Sequence, residues 1–426
     1  MLSRISDFVF QKKEILNNIK NAGLYFLGSV VQSILALIAS PIYAYHLSAD
    51  EFGILGYFGA ISNFLAPIFI FGMTSVYMMH YFRQSEPDNK KLLFNISFFL
   101  CCFNSIVVFI SYAIIYLYFR YMHVEIPLNP FAWFVLIALL LENVKHFVLI
   151  NLRIRKEAWN FFIFSAANAL LNFGLGLLFV AYFEWGAEGR MSAPIVSTII
   201  LLPSCFYILR KYSTINFNLS LFMKASRAAI PLVLAAYAYV PIENIDRFFL
   251  ERINNLSELG LYNIGVTIAG YVLLAYIALG SAMEPDIFKA VAEKDNKSLL
   301  KSAVLIFAPY SILVIVFLFF SKIIVWLLTA GKYVEAQQYT NITLIAVFLM
   351  SIYWFLDKIF IALGKTKLNL LINILGGASS IIIMYFLVNN YQFIGAAYGK
   401  VLVAFIIVVV ATILVLINLR RQNTYA

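Results

Sequence analysis

Charge is what this sequence has least of. Asp, Glu, Lys and Arg make up 12% of its 426 residues, about half the share found in an ordinary soluble domain. Apolar residues make up 63% and the mean hydropathy is +0.88, more apolar surface than a soluble fold can bury. Soluble enzymes, disordered chains and fibrous proteins are excluded on that ground. Cysteine is also scarce. Cys101, Cys102 and Cys205 all lie in apolar runs, with neither a disulfide framework nor metal-ligand spacing, so three small buried hydrophobes are expected. Catalytic signatures are missing too. The string Gly395-Ala396-Ala397-Tyr398-Gly399-Lys400 is one residue short of a phosphate-binding loop, and no HExxH or GxSxG stands anywhere in the chain, so neither ATP hydrolysis nor a zinc site is expected. The first twenty residues carry Arg4, Lys12, Lys13 and Lys20 without a long apolar core. No cleaved leader is expected, and the first span is retained.

What the chain has in abundance is long apolar segments. They run at about 22–45, 53–80, 92–119, 131–152, 160–183, 192–209, 228–250, 260–284, 302–329, 338–363, 368–388 and 393–418, each near the length of a membrane-spanning helix. They are continuous, not alternating, which argues against a membrane β-barrel. The expected class is an all-α polytopic membrane protein with about twelve transmembrane helices. Aromatic residues, 17% of the chain, are expected at lipid and at its interface.

The net charge of +10 would raise nucleic acid as a partner for a soluble protein. Here its distribution gives a plainer account. Twenty-two basic residues fall in the N-terminus, the C-terminus and every second loop, against Arg120, Arg190, Arg252 and Lys332 in the alternate loops. The positive-inside rule then places both termini in the cytoplasm, and no nucleic-acid partner is expected. All loops are short, leaving little room for an extramembrane active site.

The chain also hints at an internal repeat. Glu51-Phe52-Gly53-Ile54 opens the second span and Glu258-Leu259-Gly260-Leu261 opens the eighth, 207 residues later. Two parallel six-span lobes are expected: 1–209, then a cytoplasmic interfacial linker over 210–227, then 228–426.

Ionisable residues in mid-span are costly and usually functional or paired. Glu142, Lys145 and His146 share one face of the fourth span. The seventh holds Glu243, Asp246 and Arg247, with Glu243 and Arg247 four apart. Asp357 and Lys358 lie in the tenth, and Lys400 stands alone in the twelfth. Pairing within a helix accounts for some of these. A lone Lys400 requires a counter-charge from another helix or a wet cavity. As cavity cations, Lys145, Arg247, Lys358 and Lys400 would suit a phosphate or pyrophosphate. As coupling or gating groups, Glu142, His146, Glu243, Asp246 and Asp357 could carry protons. Pro41 and Pro241 adjoin polar residues and are the hinge candidates among the prolines of the spans.

Four stretches carry a family resemblance. They are Asn21-Ala22-Gly23-Leu24-Tyr25-Phe26 through Ser40-Pro41-Ile42-Tyr43, with Glu51-Phe52-Gly53-Ile54; Asn244-Ile245-Asp246-Arg247-Phe248-Phe249, with Glu258-Leu259-Gly260-Leu261-Tyr262; Gly331-Lys332-Tyr333 with Ala336; and Gly364-Lys365-Thr366-Lys367 with Asn373 and Ile394-Gly395-Ala396-Ala397. In this order and spacing the chain resembles the bacterial polysaccharide repeat-unit (O-antigen, Wzx-type) flippases of the multidrug/oligosaccharidyl-lipid/polysaccharide exporter superfamily. The resemblance implies two six-helix lobes around a central cavity and a bacterial inner-membrane location. It implies alternating access that moves an undecaprenyl-diphosphate-linked oligosaccharide to the periplasmic leaflet, with H+ or Na+ as candidate coupling ions and no other cofactor. A polysaccharide polymerase and a chain-length regulator are its implied partners. Asp246-Arg247 is the pair it marks as functional. A cation-coupled multidrug exporter and a lipid II or teichoic-acid precursor flippase are the near alternatives, and a membrane glycan polymerase the distant one.

Overall fold

The structure, a computed structural model, describes residues 23–424 except Phe26, Ser29 and Gln84. Arg4, Lys12, Lys13 and Lys20, with Asn21, Ala22 and Phe26 of the opening motif, lie outside the described residues. Apolar residues with few interruptions make helices, because a backbone in lipid must satisfy its own polar groups. The helices are α1 (Gly23–His46), α2 (Ala49–Ile70), α3 (Met73–Tyr81), α4 (Glu86–Met122), α5 (Phe131–Ile154), α6 (Ala158–Leu177), α7 (Gly186–Tyr212), α8 (Leu219–Leu250), α9 (Leu256–Ala292), α10 (Asn296–Leu328), α11 (Gln337–Ala362) and α12 (Thr366–Thr424).

Eleven stretches among the described residues are long and apolar enough to cross a membrane. Helices α2 and α3 share one of them, 33 residues long. Helix α12 is broken at Gln392 (φ 52°, ψ −132°) and supplies two crossings, which brings the total to the twelve expected. The departures from helical backbone at Phe71, Gly72 and Gln392 do not fall at proline. The chain turns between α2 and α3 at Phe71 and Gly72, where φ is 49° and 60°, and a π-helical turn, Leu178–Tyr182, follows α6.

Two compact units divide the chain. One holds residues 1–39, 68–118 and 128–232; the other holds 40–67, 119–127 and 233–426. In the first unit Met73, Tyr77, Leu93, Ile96 and Phe147 form a buried core with Tyr212. Residues 213–218 are not helical; the Thr214 amide donates to the Lys90 carbonyl at 3.2 Å and the Asn218 amide to Asn95 at 2.6 Å. Ile215 and Phe217 there are exposed.

In the second unit the largest core runs through α9, α10, α11 and α12, with Tyr276, Tyr310, Phe355 and Phe360 among its rings. The repeat seen in the sequence is physical here. Ser48 caps α2: the Glu51 amide donates to its Oγ at 3.2 Å, and Glu51 Oε2 accepts the Ser48 amide at 2.7 Å, a reciprocal capping box. At the equivalent place Asn255 Oδ1 accepts the Glu258 amide at 3.0 Å to cap α9. The two helix starts then pack reciprocally. A Cβ on Gly53 would overlap the Leu256 carbonyl, and a Cβ on Gly260 would overlap that of Ala49. The positions 207 apart thus exchange the same contact.

One expectation is corrected. Cys205 is buried, but Cys101 and Cys102 are exposed. On a membrane helix an apolar side chain gains nothing from leaving the lipid, so apolar sequence does not imply burial.

Candidate functional site

The main constellation of charges lies in the second unit, built by α8, α9 and α12. On α8, Tyr239, Glu243 and Arg247 recur every four residues and share a face. Asp246 is its centre, with 1% of its surface exposed. The Arg247 guanidinium reaches both carboxylate oxygens through Nη1, at 3.0 and 3.1 Å. The Tyr262 hydroxyl of α9 donates to Oδ2 at 2.5 Å, and Lys400 Nζ of α12 stands 3.3 Å from the same oxygen. The counter-charge for Lys400 is therefore on another helix. Backbone carbonyls complete the shell. Glu243 O accepts from Arg247 Nη1 at 2.8 Å and from Lys400 Nζ at 2.9 Å. Arg247 Nε donates to Asn263 Oδ1 at 3.2 Å, and Asn63 of α2 donates to Asn244 at 3.0 Å.

Glu243 and Arg247 pair differently from the expected side-chain bridge. The Glu243 carboxylate accepts the Tyr239 hydroxyl at 2.8 Å, while Arg247 turns to the carbonyl of Glu243 and the carboxylate of Asp246. Asp246, Arg247 and Lys400 together carry one more positive charge than negative, and the Glu243 carboxylate, which also acts on Arg247, balances it. Such a group can exchange a carboxylate oxygen for a phosphate oxygen without stranding a cation.

The other expected residues fall in two further places. In the first unit Lys145, 2% exposed, lies 2.7 Å from Glu142 and donates to Asn168 at 3.2 Å. His146 Nε2 is 4.0 Å from Glu142. In the second unit Lys358 bridges α11 to α9, at 2.8 Å from Glu284 and 3.0 Å from the Gly280 carbonyl, with Asp357 facing Asn369. Pro41 lies inside α1. Pro241 lies in α8, where its carbonyl accepts Ser380 Oγ of α12 at 3.2 Å. Close by, a Cβ on Gly377 would come within 2.6 Å of the Ala238 carbonyl. The sequence by itself does not single out Tyr262, Asn263 or Glu284 as site residues. Of the three, Tyr262 carries a signal, since it ends the second copy of the repeated motif. Among the described residues no group of three or more His, Cys, Asp or Glu is placed to hold a metal ion.

The motif Gly331-Lys332-Tyr333 closes the end of α1. Leu47 O accepts from Lys332 Nζ at 2.7 Å and from the Tyr333 hydroxyl at 2.5 Å. A helix C-terminus leaves such carbonyls without intrahelical donors, and Lys332 also supplies a cation at the negative end of the dipole.

The fold is that of solved membrane transporters. The lipid II flippase MurJ in an inward closed conformation is similar, with a TM-score of 0.72 and 14% identity over 91% of this chain and 86% of that one. An inward-facing multidrug resistance MATE family transporter of the MOP superfamily is similar at a TM-score of 0.67 and 14% identity, over 94% and 100%. The chain belongs to the polysaccharide biosynthesis protein family, whose model matches residues 19–291. The MatE model also matches residues 231–386. The Lsg locus putative protein 1 of Haemophilus influenzae (strain ATCC 51907 / DSM 11121 / KW20 / Rd) is 21% identical over 363 residues, 82% of this chain and 86% of that protein.

Proposed function

We propose that this protein is a flippase for a lipid-linked oligosaccharide carried on undecaprenyl diphosphate, an O-antigen or other surface-polysaccharide repeat unit. It would work by alternating access of two six-helix lobes, residues 1–209 and 228–426, in the bacterial inner membrane with both termini cytoplasmic. The observation that carries this reading is the polysaccharide biosynthesis match over residues 19–291 in a chain of twelve crossings. Arg247 and Lys400 are its anion-binding cations, with Lys145 and Lys358 assisting. On arrival of the pyrophosphate, Asp246 gives up part of its hold on Arg247 and Lys400, and the freed donors take phosphate oxygens. Fork-like guanidinium geometry and an ammonium point charge both suit that ligand. An H+ or Na+ gradient would act through Asp246, Glu243 and Asp357 in one unit and through Glu142 and His146 in the other. Pro41 and Pro241 would be the hinges. A polymerase and a chain-length regulator are the expected partners.

The test is leaflet translocation in proteoliposomes. A labelled undecaprenyl-diphosphate oligosaccharide is incorporated, and its accessibility at each face is scored with and without an imposed gradient. Protein-dependent movement that is lost in Arg247→Ala and Lys400→Ala supports the proposal. Efflux of a small cationic dye without lipid movement would favour the multidrug-exporter reading, for which the MatE match over residues 231–386 speaks.

A further inference from the structure

The repeat that relates α2 to α9 extends to the loops at the ends of α4 and α10. His123 and Ala330, 207 residues apart, both take positive φ, 52° and 49°. The next amide in each, Val124 or Gly331, donates to the carbonyl five residues back, Phe119 or Trp326. By this register Lys332 corresponds to Glu125, and Leu47, whose carbonyl Lys332 holds, corresponds to Asn254. One copy thus has a lysine ammonium at this place, and the other has a carboxylate.

Around Glu125 the structure has a cavity of about 140 Å³, lined by Glu251, Asn254 and Asn255 among others. Glu251 is 6% exposed, and its Oε2 has no hydrogen-bond partner among the described residues. An ionised carboxylate in that state is strongly unfavourable unless a cation reaches it, and without one the carboxyl takes up a proton instead. The neighbouring cation, Arg252, is exposed and acts on Glu251 only through space, its guanidinium carbon 5.9 Å from the Phe249 ring centroid. The first turn of α9 borders the cavity and contributes a dipole equivalent to about half a positive charge, too little to balance two carboxylates. The cavity has room for an ion and about three waters, at roughly 30 Å³ each.

We propose that this cavity is a binding site for a hard divalent cation, Ca2+ or Mg2+, held by the Glu251 and Glu125 carboxylates with Asn254 and water. Oxygen donors of this kind are what such ions take. The ion stands where the ammonium of Lys332 stands in the other copy of the repeat. The site is separate from the Asp246 network, and the proposal does not rest on the flippase reading.

The experiment is 45Ca2+ binding to the full chain in lipid nanodiscs after stripping with a chelator, with Mg2+ as competitor. One saturable ion per chain is expected, weakened at least tenfold in both Glu251→Gln and Glu125→Gln and unchanged in Glu188→Gln, which alters the first turn of α7. Glu125 is exposed, so its variant folds even where Glu251→Gln does not. No saturable binding of either ion, or binding unchanged in Glu125→Gln, overturns the proposal.

Discussion

Gly53 and Gly260 occupy equivalent places in the two copies of the repeat, and each lies against the first residue of the other's helix. Gly53 meets the carbonyl of Leu256 and Gly260 meets that of Ala49. Gly56 faces the Asn263 side chain in the same seam, with no room for a Cβ, and Asn263 is the equivalent of Gly56 one repeat later. The seam therefore joins α2 to the Arg247 network, since Asn263 is the acceptor of Arg247 Nε.

Substitution in this seam is therefore expected to act through backbone displacement. Gly260→Ala forces a methyl into a carbonyl and should destabilise by about 1–3 kcal/mol, the range for an overpacked core. Gly270→Ala, in the same helix with nothing within 4 Å of a Cβ, should be neutral or stabilise by about 0.5–1 kcal/mol from helix propensity. Thermal unfolding in detergent compares the two. Equal melting points would mean that α2 and α9 do not approach as closely as described.

The charge network makes an ordered prediction. Lys400→Met leaves Asp246 bound to Arg247 and Tyr262, so its stability loss should be small. Asp246→Ala leaves two cations facing each other without a carboxylate, at about 3–5 kcal/mol for an uncompensated buried charge. Restoring stability should take the pair: Asp246→Asn with Lys400→Met should be more stable than Asp246→Asn alone. Melting points that rank Lys400→Met below Asp246→Ala would show that Asp246 is not the shared partner.

Comparison of these contacts with the sequence shows what is readable in a chain of this kind. Span number follows from hydropathy because lipid imposes one solution on every backbone group. Glu142 with Lys145 is readable because three residues place both on one helical face. Asp246 with Lys400 and Glu284 with Lys358 are not, because the partners are 154 and 74 residues apart and no local period connects them. The break at Gln392 is readable, since Asn389, Asn390 and Gln392 separate the apolar segments 368–388 and 393–418. Cys101 and Cys102 fail for a different reason: hydropathy reports the membrane and does not distinguish lipid from protein core.

Acid stability should carry a signature of the α10 cap. Asp295 accepts the Ser298 hydroxyl at 2.6 Å and the amides of Ser298 and Lys297 at 3.1 and 3.0 Å. These bonds, the Ser298 hydroxyl first, hold its carboxyl below the ordinary aspartate range. A pKa lowered by folding adds stability above the unfolded value, about 3.9, and that stability is lost as pH falls through the folded value. Asp295→Asn keeps a good cap but removes the titration. The wild type should melt higher than the variant at pH 7, and the difference should close below about pH 4. A gap of the same size at pH 3 and pH 7 would assign the cap's effect to shape alone.

Orientation is open to direct test, because the charge asymmetry makes opposite claims for the two ends of the helices. Lys294 lies in the loop between α9 and α10, on the basic side. Glu125 lies between α4 and α5, on the side that holds only Arg120, Arg190, Arg252 and Lys332. In a chain with Cys101, Cys102 and Cys205 replaced by Ser or Ala, a single cysteine at 294 should react with a membrane-impermeant maleimide only after cells are opened. One at 125 should react in intact cells whose outer layer is permeable to the reagent. The asymmetry also predicts how orientation could be disturbed: positive charges within about 15–20 residues of a span end govern insertion. Removing Lys289, Lys294, Lys297 and Lys301 together should therefore produce a mixed population for that loop, while removing acidic residues should not. Labelling of position 294 in intact cells of the otherwise unaltered chain would reverse the topology and put the Glu125–Glu251 cavity on the cytoplasmic face.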